Sequence, residues 1–169
     1  MNAPILNLAD CARQVAIWRQ QGLRVAFTNG HFDLLHAGHV NYLQAARGLA
    51  DRLVVGLNDD ASTRRRKGPT RPILPQEERA LLLAALRPVD AVIIWPEDDF
   101  CDVVAALKPD FYIKGADWNG EQGPKPPEAK IIEAQGGAVL FIELTPGRST
   151  TTIEQEILAR RGCSPEAGA

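Results

Sequence analysis

The sequence predicts an α/β fold of three layers, in which a parallel sheet of five strands lies between two layers of helices. The first observation is that short apolar segments alternate with helical patterns along the chain. The second is that these segments are almost continuously apolar, as strands are when both faces of a sheet are covered. The third is size, because 169 residues with 45% apolar content suffice for one domain with one buried core.

Five segments are predicted to form the strands of this sheet. They are residues 23–28, 52–57, 90–95, 111–114 and 138–142. Because helical patterns separate them, we expect right-handed crossovers that connect parallel strands.

Six helical stretches are predicted around the strands. They lie at about 7–21, 38–50, 75–87, 98–108, 127–135 and 149–161. Pro75 stands at a first-turn position with Glu77 and Glu78 close behind it, and Gly136 and Gly137 form a stop signal. The order of elements predicts a Rossmann-like three-layer sandwich, in which ligands bind beyond the carboxyl ends of the strands.

Composition and charge argue against several classes of protein. A formal net charge of −2 is unfavourable for general binding to nucleic acid or to anionic membranes. The longest apolar run, residues 80–86, is too short to span a bilayer, and the first residues lack the pattern of a signal peptide. We therefore expect a cytoplasmic protein with one domain, residues 1–162, and a disordered tail at 163–169. Cys11, Cys101 and Cys163 lack the spacing of metal ligands and are expected to be thiols without an assigned role.

All three histidines fall in one segment, NGHFDLLHAGH, residues 29–39. Their side chains could serve as metal ligands, as proton-transfer groups or as hydrogen-bond donors to an anion. The spacing H-x₄-H-x₂-H could hold zinc with Asp33 as a fourth ligand. Zinc-binding helices more often space two histidines four residues apart, and no general-base glutamate stands nearby. The sequence therefore favours the anion.

The position of this segment supports an anion site. The strand is predicted to end at Thr28 and the chain to turn through Asn29 and Gly30, so the histidines occupy the first β-to-α loop and the start of a helix. Backbone N–H groups and the positive end of the helix dipole favour phosphate there. His36 and His39, three residues apart, lie on one side of the first helical turn.

Neither familiar phosphate loop is present, since G-x-x-x-x-G-K-[ST] is absent and no G-x-G-x-x-G follows the first strand. The chain instead contains, in order, TNGHFDLLHAGH, VGLNDDAS, KGPTRP, EERALLLAAL, VDAVI, KPDFYIKGADW and RSTTTI. With these motifs over about residues 22–160, it resembles the nucleotidyltransferases of the H-x-G-H superfamily. Specifically, it resembles the D-glycero-β-D-manno-heptose 1-phosphate adenylyltransferases, which in some organisms are fused to a sugar kinase.

The resemblance implies transfer of AMP from ATP to heptose 1-phosphate, which yields ADP-heptose and pyrophosphate in the synthesis of lipopolysaccharide core precursors. The second pKa of a sugar phosphate is about 6, so the nucleophile is already ionised and needs no strong base. Positioning and charge stabilisation are left to the protein. By resemblance, His36, His39 and Lys67 are the catalytic residues.

The resemblance also implies residues that bind the two substrates. Those expected at the nucleotide are Thr28, Asn29, Gly30, Phe32, Gly38, Lys114, Gly115, Asp117, Trp118, Arg148, Ser149, Thr150 and Thr151. Those expected at the acceptor are Asp33, Asn58, Asp60, Arg71 and Arg79.

Structural alternatives stay open for four of these residues. Asp33 suits a turn, Trp118 suits a core or interface anchor, and Ser149 suits an ordinary helix N-cap. Arg79 suits a surface ion pair with Glu78 or with another carboxylate.

The basic run at residues 64–67 is most simply a solvated face, or else a nucleic-acid surface. No aromatic residue stands between Leu57 and Ile94 on which a base could stack, so a mobile loop that closes on phosphates fits better. His31 and Asp59 depart from the family pattern, and we assign neither a catalytic role.

By resemblance the cofactor is Mg²⁺ bound with ATP, and no resident protein metal site is expected. A separate upstream heptose kinase and a homodimer are also expected. Two alternatives stay open: a cytidylyltransferase that acts on glycerol 3-phosphate, and a non-catalytic nucleotide- or metal-binding module. Presence of both motif histidines and Lys67 argues against the second.

Overall fold

The computed structural model describes residues 2–118, 125–145, 147 and 149–160. The strands are β1 (Ile5–Leu6), β2 (Val25–Gly30), β3 (Arg52–Asn58), β4 (Ala91–Trp95), β5 (Phe111–Gly115) and β6 (Ala138–Ile142). The helices are α1 (Leu8–Gln20), α2 (Ala37–Gly48), α3 (Asp60–Lys67), α4 (Gln76–Ala84), α5 (Cys101–Leu107), α6 (Ala129–Ala134) and α7 (Thr150–Arg160), with a 3-10 turn at Ala116–Trp118. The predictions on Arg148, Cys163 and the tail 163–169 lie outside the described residues.

The strands form one parallel sheet in the order β1-β4-β3-β2-β5-β6. Strand β2 pairs on one side with β3, the next long strand in the chain, and on the other side with β5. The direction of strand succession therefore reverses beside β2. A ligand site is expected in the crevice beyond the carboxyl ends of these strands.

The core consists of two apolar clusters, one on each face of the sheet. Side chains of successive strand residues point to opposite faces. In β2, Phe27 accordingly joins the cluster that includes residues of α1, α5 and α6, whereas Ala26 joins the cluster that includes residues of α2 and α4. Gly56 of β3 is required by this packing, because a Cβ atom there would lie 2.5 Å from Cε1 of Phe100. The predicted α/β fold with helices on both faces of a parallel sheet is confirmed.

Among the described residues the sheet has six strands, so the prediction of five was wrong by one edge strand. Residues Ile5 and Leu6 pair with Val92 and Ile93 of β4. Two residues are too few to show a periodic pattern, which explains why β1 was missed. Strand β2 also extends through Asn29 and Gly30, which were expected in a turn.

The basic run lies in helix α3, where the sequence was expected to form a mobile loop. Its buried side chains are the polar Ser62 and Thr63, so the apolar repeat of an amphipathic helix is missing. The helix ends carry the signal instead: Asp59 accepts a hydrogen bond from the backbone N–H of Ser62 at 2.6 Å, and Gly68 ends the helix with φ of 98°. Four basic residues in the last turn also suit the helix dipole.

No helix in the part of the chain that the structure describes is both long and apolar enough to cross a membrane.

Candidate active site

A cavity of about 510 Å³ opens beyond the carboxyl ends of β2 and β5. Strand ends, the loop into α2, helix α3 and the segments before and at the start of α7 each supply part of its wall. The lining residues are Asn29, Gly30, His31, Phe32, Asp33, His36, Gly38, His39, Tyr42, Thr63, Lys67, Arg71, Lys114, Gly115, Asp117, Trp118, Leu144, Thr145, Ser149, Thr150 and Thr151.

The two motif histidines lie together at the start of α2. His36 is the N-cap residue and His39 belongs to the first turn, and their ring centroids are 3.9 Å apart with an angle of 24° between the planes. The ring of Phe32 packs 5.2 Å from that of His39. Phe32 has a φ of 44°, a conformation that bulky residues rarely adopt, and its ring lies where a side chain at Gly30 would crowd it. The loop is thus shaped to support the histidine pair.

The environment of His39 favours the neutral imidazole. Burial and, to a smaller extent, the neighbouring His36 lower the pKa of His39 to about 4, although a backbone hydrogen bond with Leu34 opposes the shift. A phosphate beside the ring would favour the protonated form, because an opposite charge stabilises the cation. Helix α2 also begins without a side-chain cap, which leaves its positive end to the cavity. Both features suit an anion.

The floor of the cavity is a hydrogen-bond network centred on Asn29. Its Oδ1 atom accepts from the hydroxyl of Tyr112 at 2.7 Å and from Nζ of Lys114 at 3.3 Å. Nζ of Lys114 lies 4.6 Å from the ring centroid of Trp118, which is a cation–π distance. Trp118 lines the cavity and is only partly buried, so it is not a core anchor.

Tyr42, which the sequence did not single out, also lines the cavity. Its hydroxyl donates to the carbonyl of Ile113 at 3.0 Å, so the hydroxyl of Thr28, 2.8 Å away, donates to Tyr42. Thr28 is fully buried and supports Tyr42 from behind the cavity wall. Tyr42 follows His39 by one helical turn on α2, a spacing that sequence analysis could have used.

Arg79 is fully buried, and its guanidinium group holds several segments together. It donates to the carbonyl of His31 at 2.6 Å and to the carbonyl of Asn58 at 3.0 Å, and it pairs with Asp60 at 2.7 Å. Arg79 thus does form an ion pair, but its partner is Asp60 and not Glu78, and the guanidinium group is buried and not at the surface. None of Arg79, Asn58 and Asp60 lines the cavity, and the structure places them beneath the loops that do.

Asp33 and Arg71 connect three parts of the wall. The carboxylate of Asp33 accepts from Nη1 of Arg71 at 2.9 Å and from the backbone N–H of Ile73 at 2.7 Å. Arg71 also pairs with Glu154 of α7. Both Asp33 and Arg71 line the cavity, so each combines a structural role with a position at the site.

His31 also lines the cavity, although no role was assigned to it from the sequence. Its Nδ1 atom lies 3.0 Å from Oγ1 of Thr63 in α3. Burial, followed by the positive charges of Lys67, Arg66, Arg79 and Lys114, lowers the pKa of His31 to about 4. Thr63 was missed because α3 was not predicted.

Most of the remaining predicted residues also line the cavity: Gly30, Gly38, Gly115, Asp117, Thr150 and Thr151. Lys67 is exposed at the end of α3 and reaches the cavity edge. The hydroxyl of Ser149 accepts from the backbone N–H of Thr152 at 3.0 Å, as an N-cap does, while Ser149 also lines the cavity. Arg148 lies outside the described residues. Leu144 and Thr145 line the cavity without having been predicted, since no sequence signal marks them.

The zinc alternative finds no support in the geometry. Within the ranges that the structure describes, no group of three or more His, Cys, Asp or Glu side chains could hold a metal ion. The histidines pack against each other and against Phe32, and Asp33 is bound to Arg71.

Two curated proteins are similar to this chain over most of its length. A bifunctional protein HldE from Mesorhizobium japonicum is 50% identical over 147 residues, which are 87% of this chain and 29% of that protein. A bifunctional protein HldE from Methylobacillus flagellatus is 48% identical over 153 residues, 90% of this chain and 31% of that protein. The chain thus spans less than a third of the length of these curated relatives.

A solved structure and a family model match as well. The crystal structure of a lipopolysaccharide core biosynthesis protein from Thermoplasma volcanium matches with a TM-score of 0.59 and 31% identity, covering 73% of this chain and 98% of that one. The family model described as cytidylyltransferase-like matches residues 27–133, which include the histidine segment, Lys67 and the residues of the cavity floor. The chain therefore belongs to the cytidylyltransferase-like family.

Proposed function

We propose that this chain is an adenylyltransferase that transfers AMP from ATP to D-glycero-β-D-manno-heptose 1-phosphate and releases pyrophosphate. The observation that carries the proposal is the stacked pair His36 and His39 at the open end of α2, inside a cavity at the switch point of the sheet. The acceptor follows from the resemblance of the ordered motifs. The similarity to a lipopolysaccharide core biosynthesis protein supports the same pathway.

The proposed reaction is an in-line displacement at the α-phosphorus. An oxygen of the acceptor phosphate forms a bond to that phosphorus, the bond to the bridging oxygen of the β-phosphate breaks, and pyrophosphate leaves. His36 and His39 donate hydrogen bonds to the phosphate oxygens on which negative charge accumulates. The N–H groups at the start of α2 add a fixed positive potential. The acceptor supplies its own ionised oxygen, so no protein base is needed.

Mg²⁺ is proposed as the metal that accompanies the triphosphate. Such ions are commonly held by substrate phosphates and water with few protein ligands. His36, His39 and Lys67 would hold the ion indirectly, through the phosphates that they contact. When bound, it neutralises charge on the triphosphate.

A sugar kinase that produces the acceptor phosphate is proposed to act before this chain. The names of the relatives call those proteins bifunctional, and this chain corresponds to less than a third of each of them.

Release of pyrophosphate tests the proposed function directly. The protein is incubated with ATP or CTP, each with heptose 1-phosphate or glycerol 3-phosphate, with Mg²⁺ or with EDTA. We expect pyrophosphate release only from the combination of ATP and heptose 1-phosphate, and we expect EDTA to abolish this release. Pyrophosphate release with CTP and glycerol 3-phosphate would support the same mechanism with two different substrates. If the folded protein releases no pyrophosphate in any combination, nucleotidyl transfer is contradicted.

Replacing Lys67 with alanine is expected to weaken use of the triphosphate. Lys67 is exposed at the cavity edge, and a charge-assisted contact to phosphate contributes about 1.5–3 kcal/mol, or roughly 10- to 100-fold in KM for ATP. Steady-state kinetics at varied ATP measure the change. Arg64→Ala is the matched control, because Arg64 is exposed on the same helix and does not line the cavity. If the unsubstituted protein and Lys67→Ala have equal KM values for ATP, Lys67 does not contact the triphosphate.

A further inference from the structure

His31 is the third histidine in the wall of the cavity. Its main chain is fixed, because Nη1 of Arg79 donates to its carbonyl at 2.6 Å. Its ring is fixed as well, since Nδ1 lies 3.0 Å from Oγ1 of Thr63 in α3. A side chain held in this way is preorganised for contact with a ligand. The nitrogen that carries the proton decides which kind of contact the ring can make.

The hydroxyl of Thr63 determines where that proton lies. Thr63 is fully buried, so water hardly reaches its hydroxyl group. Among the described residues, Nδ1 of His31 is the one hydrogen-bond partner of this hydroxyl. A buried hydroxyl proton without an acceptor is destabilising, so the hydroxyl donates and Nδ1 accepts. An imidazole nitrogen that accepts carries no proton, and the proton of the neutral ring is therefore on Nε2.

The surroundings of His31 keep its ring neutral and attract anions. Burial lowers its pKa to about 4, together with the positive charges of Lys67, Arg66, Arg79 and Lys114. A neutral imidazole with its proton on Nε2 is still a hydrogen-bond donor. Because Lys67 and Lys114 line the same cavity, this donor lies where a negatively charged ligand is favoured.

The Nε2 atom of His31 is accessible to a ligand. Within the ranges that the structure describes, no protein group forms a hydrogen bond with it, and it is not one of the buried polar atoms that lack a partner. It therefore reaches solvent, in a residue that lines the cavity. An N–H group in this position suits a phosphate oxygen, because a charged acceptor forms strong hydrogen bonds.

We propose that Thr63 is a positioning residue that holds the ring of His31 with its proton on Nε2, and that this N–H donates to a phosphate oxygen of a bound substrate. His31 would then be a third imidazole donor in the cavity that contains His36 and His39. The phosphate belongs either to the nucleotide or to the acceptor. The contact with a substrate rests on the proposed function, whereas the position of the proton does not.

The position of the proton can be observed without any substrate. In protein that contains isotope-labelled histidine, nitrogen NMR distinguishes a ring nitrogen with a proton from one without. The chain has three histidines, so a His31→Gln variant identifies the signals of His31. At neutral pH we expect Nε2 to carry the proton and Nδ1 to carry none. A proton on Nδ1 would overturn the proposal.

Thr63→Val tests the role of the hydroxyl. Valine keeps the branched shape of threonine but cannot donate, so the ring is free to exchange between its tautomers and the two nitrogen signals should move toward each other. Thr63→Ser retains the hydroxyl and should keep the signals apart. Thr70→Val is the matched control, because Thr70 is exposed and does not line the cavity. If the signals stay equally far apart in folded Thr63→Val, Thr63 does not fix the tautomer.

Substrates added one at a time identify the phosphate. A shift of the Nε2 signal with ATP and with inorganic pyrophosphate would assign the contact to the nucleotide, and a shift with heptose 1-phosphate would assign it to the acceptor. The signals of His36 and His39 report binding independently. If they respond to a ligand while His31 responds to none, the phosphate contact is overturned. If no histidine responds and no pyrophosphate is released, the proposed function fails, while the tautomer still decides the role of Thr63.

Kinetics give a further readout. His31→Ala is expected to raise KM for the substrate that shifts the Nε2 signal by about 10-fold, with little change in kcat, because the contact is made in the ground state as well as in the transition state. His31→Gln should recover part of this loss, since its amide group can donate. Unchanged KM values for both substrates in His31→Ala would contradict the contact.

Discussion

Replacing His39 with alanine is expected to lower kcat by about 10²–10³-fold, the usual cost of removing one donor that stabilises charge in a transition state. His36→Ala should have an effect of the same order, because the two rings are stacked 3.9 Å apart and face one cavity. The contribution is made mainly in the transition state, so kcat should fall far more than KM for ATP rises. Steady-state pyrophosphate release measures both constants.

The control for this prediction must separate catalysis from folding. Gln44 is exposed on the same helix and does not line the cavity, so Gln44→Ala should keep both kcat and the circular dichroism spectrum. Removal of both histidines is expected to cost less than the product of the single losses, since the two rings act on one group of phosphate oxygens. Near-normal kcat in either folded single variant would exclude a role in the transition state.

Replacing Arg79 with alanine is expected to give the largest loss of stability, about 3–5 kcal/mol. The substitution removes a fully buried guanidinium group that donates to the backbone carbonyls of Leu74, His31 and Asn58. It also leaves Asp60, whose side chain is 24% exposed, without its partner. For a chain of 169 residues this corresponds to a fall in Tm of roughly 10 °C. Thermal unfolding monitored by circular dichroism measures it.

Arg87→Ala is the matched control, since Arg87 is exposed just beyond the end of α4. Arg79→Lys should recover only part of the lost stability, because lysine keeps the charge but lacks the planar fork that reaches several acceptors at once. A Tm within 2 °C of the unsubstituted protein in Arg79→Ala, about the effect of 1 kcal/mol or less, would refute the structural role.

The long strands and the helices were predictable because their burial is recorded in apolar patterns. Strands β2 to β6 each form a short apolar run, and the two-sided burial of β3 confirms what such a run indicates. Strand β1 has two residues and α3 buries polar side chains, so neither produces a period that sequence analysis can detect.

At the site, the structure places residues that follow a strand or begin a helix at the cavity, because parallel strands end at a common edge. The motif histidines and Lys114 are of this kind. Arg79 differs, because its buried structural role depends on contacts with residues 19 to 48 positions away in the chain. No local sequence pattern contains such contacts. Tyr112 was missed for the same reason, since it meets its polar partner Asn29 only in the folded protein.

Helix α7 contributes no buried side chain to the described structure, although its first residues lie at the cavity. The opposite wall rests on β2, whose residues Val25 to Thr28 are fully buried. A substitution in α7 therefore costs little folding free energy, whereas one beneath the histidines disturbs the core. Substitutions are consequently tolerated better in the cavity wall formed by α7 than in the wall that carries the histidines, where they would destabilise the core. Such a division allows new ligand preferences to arise around an unchanged reaction centre.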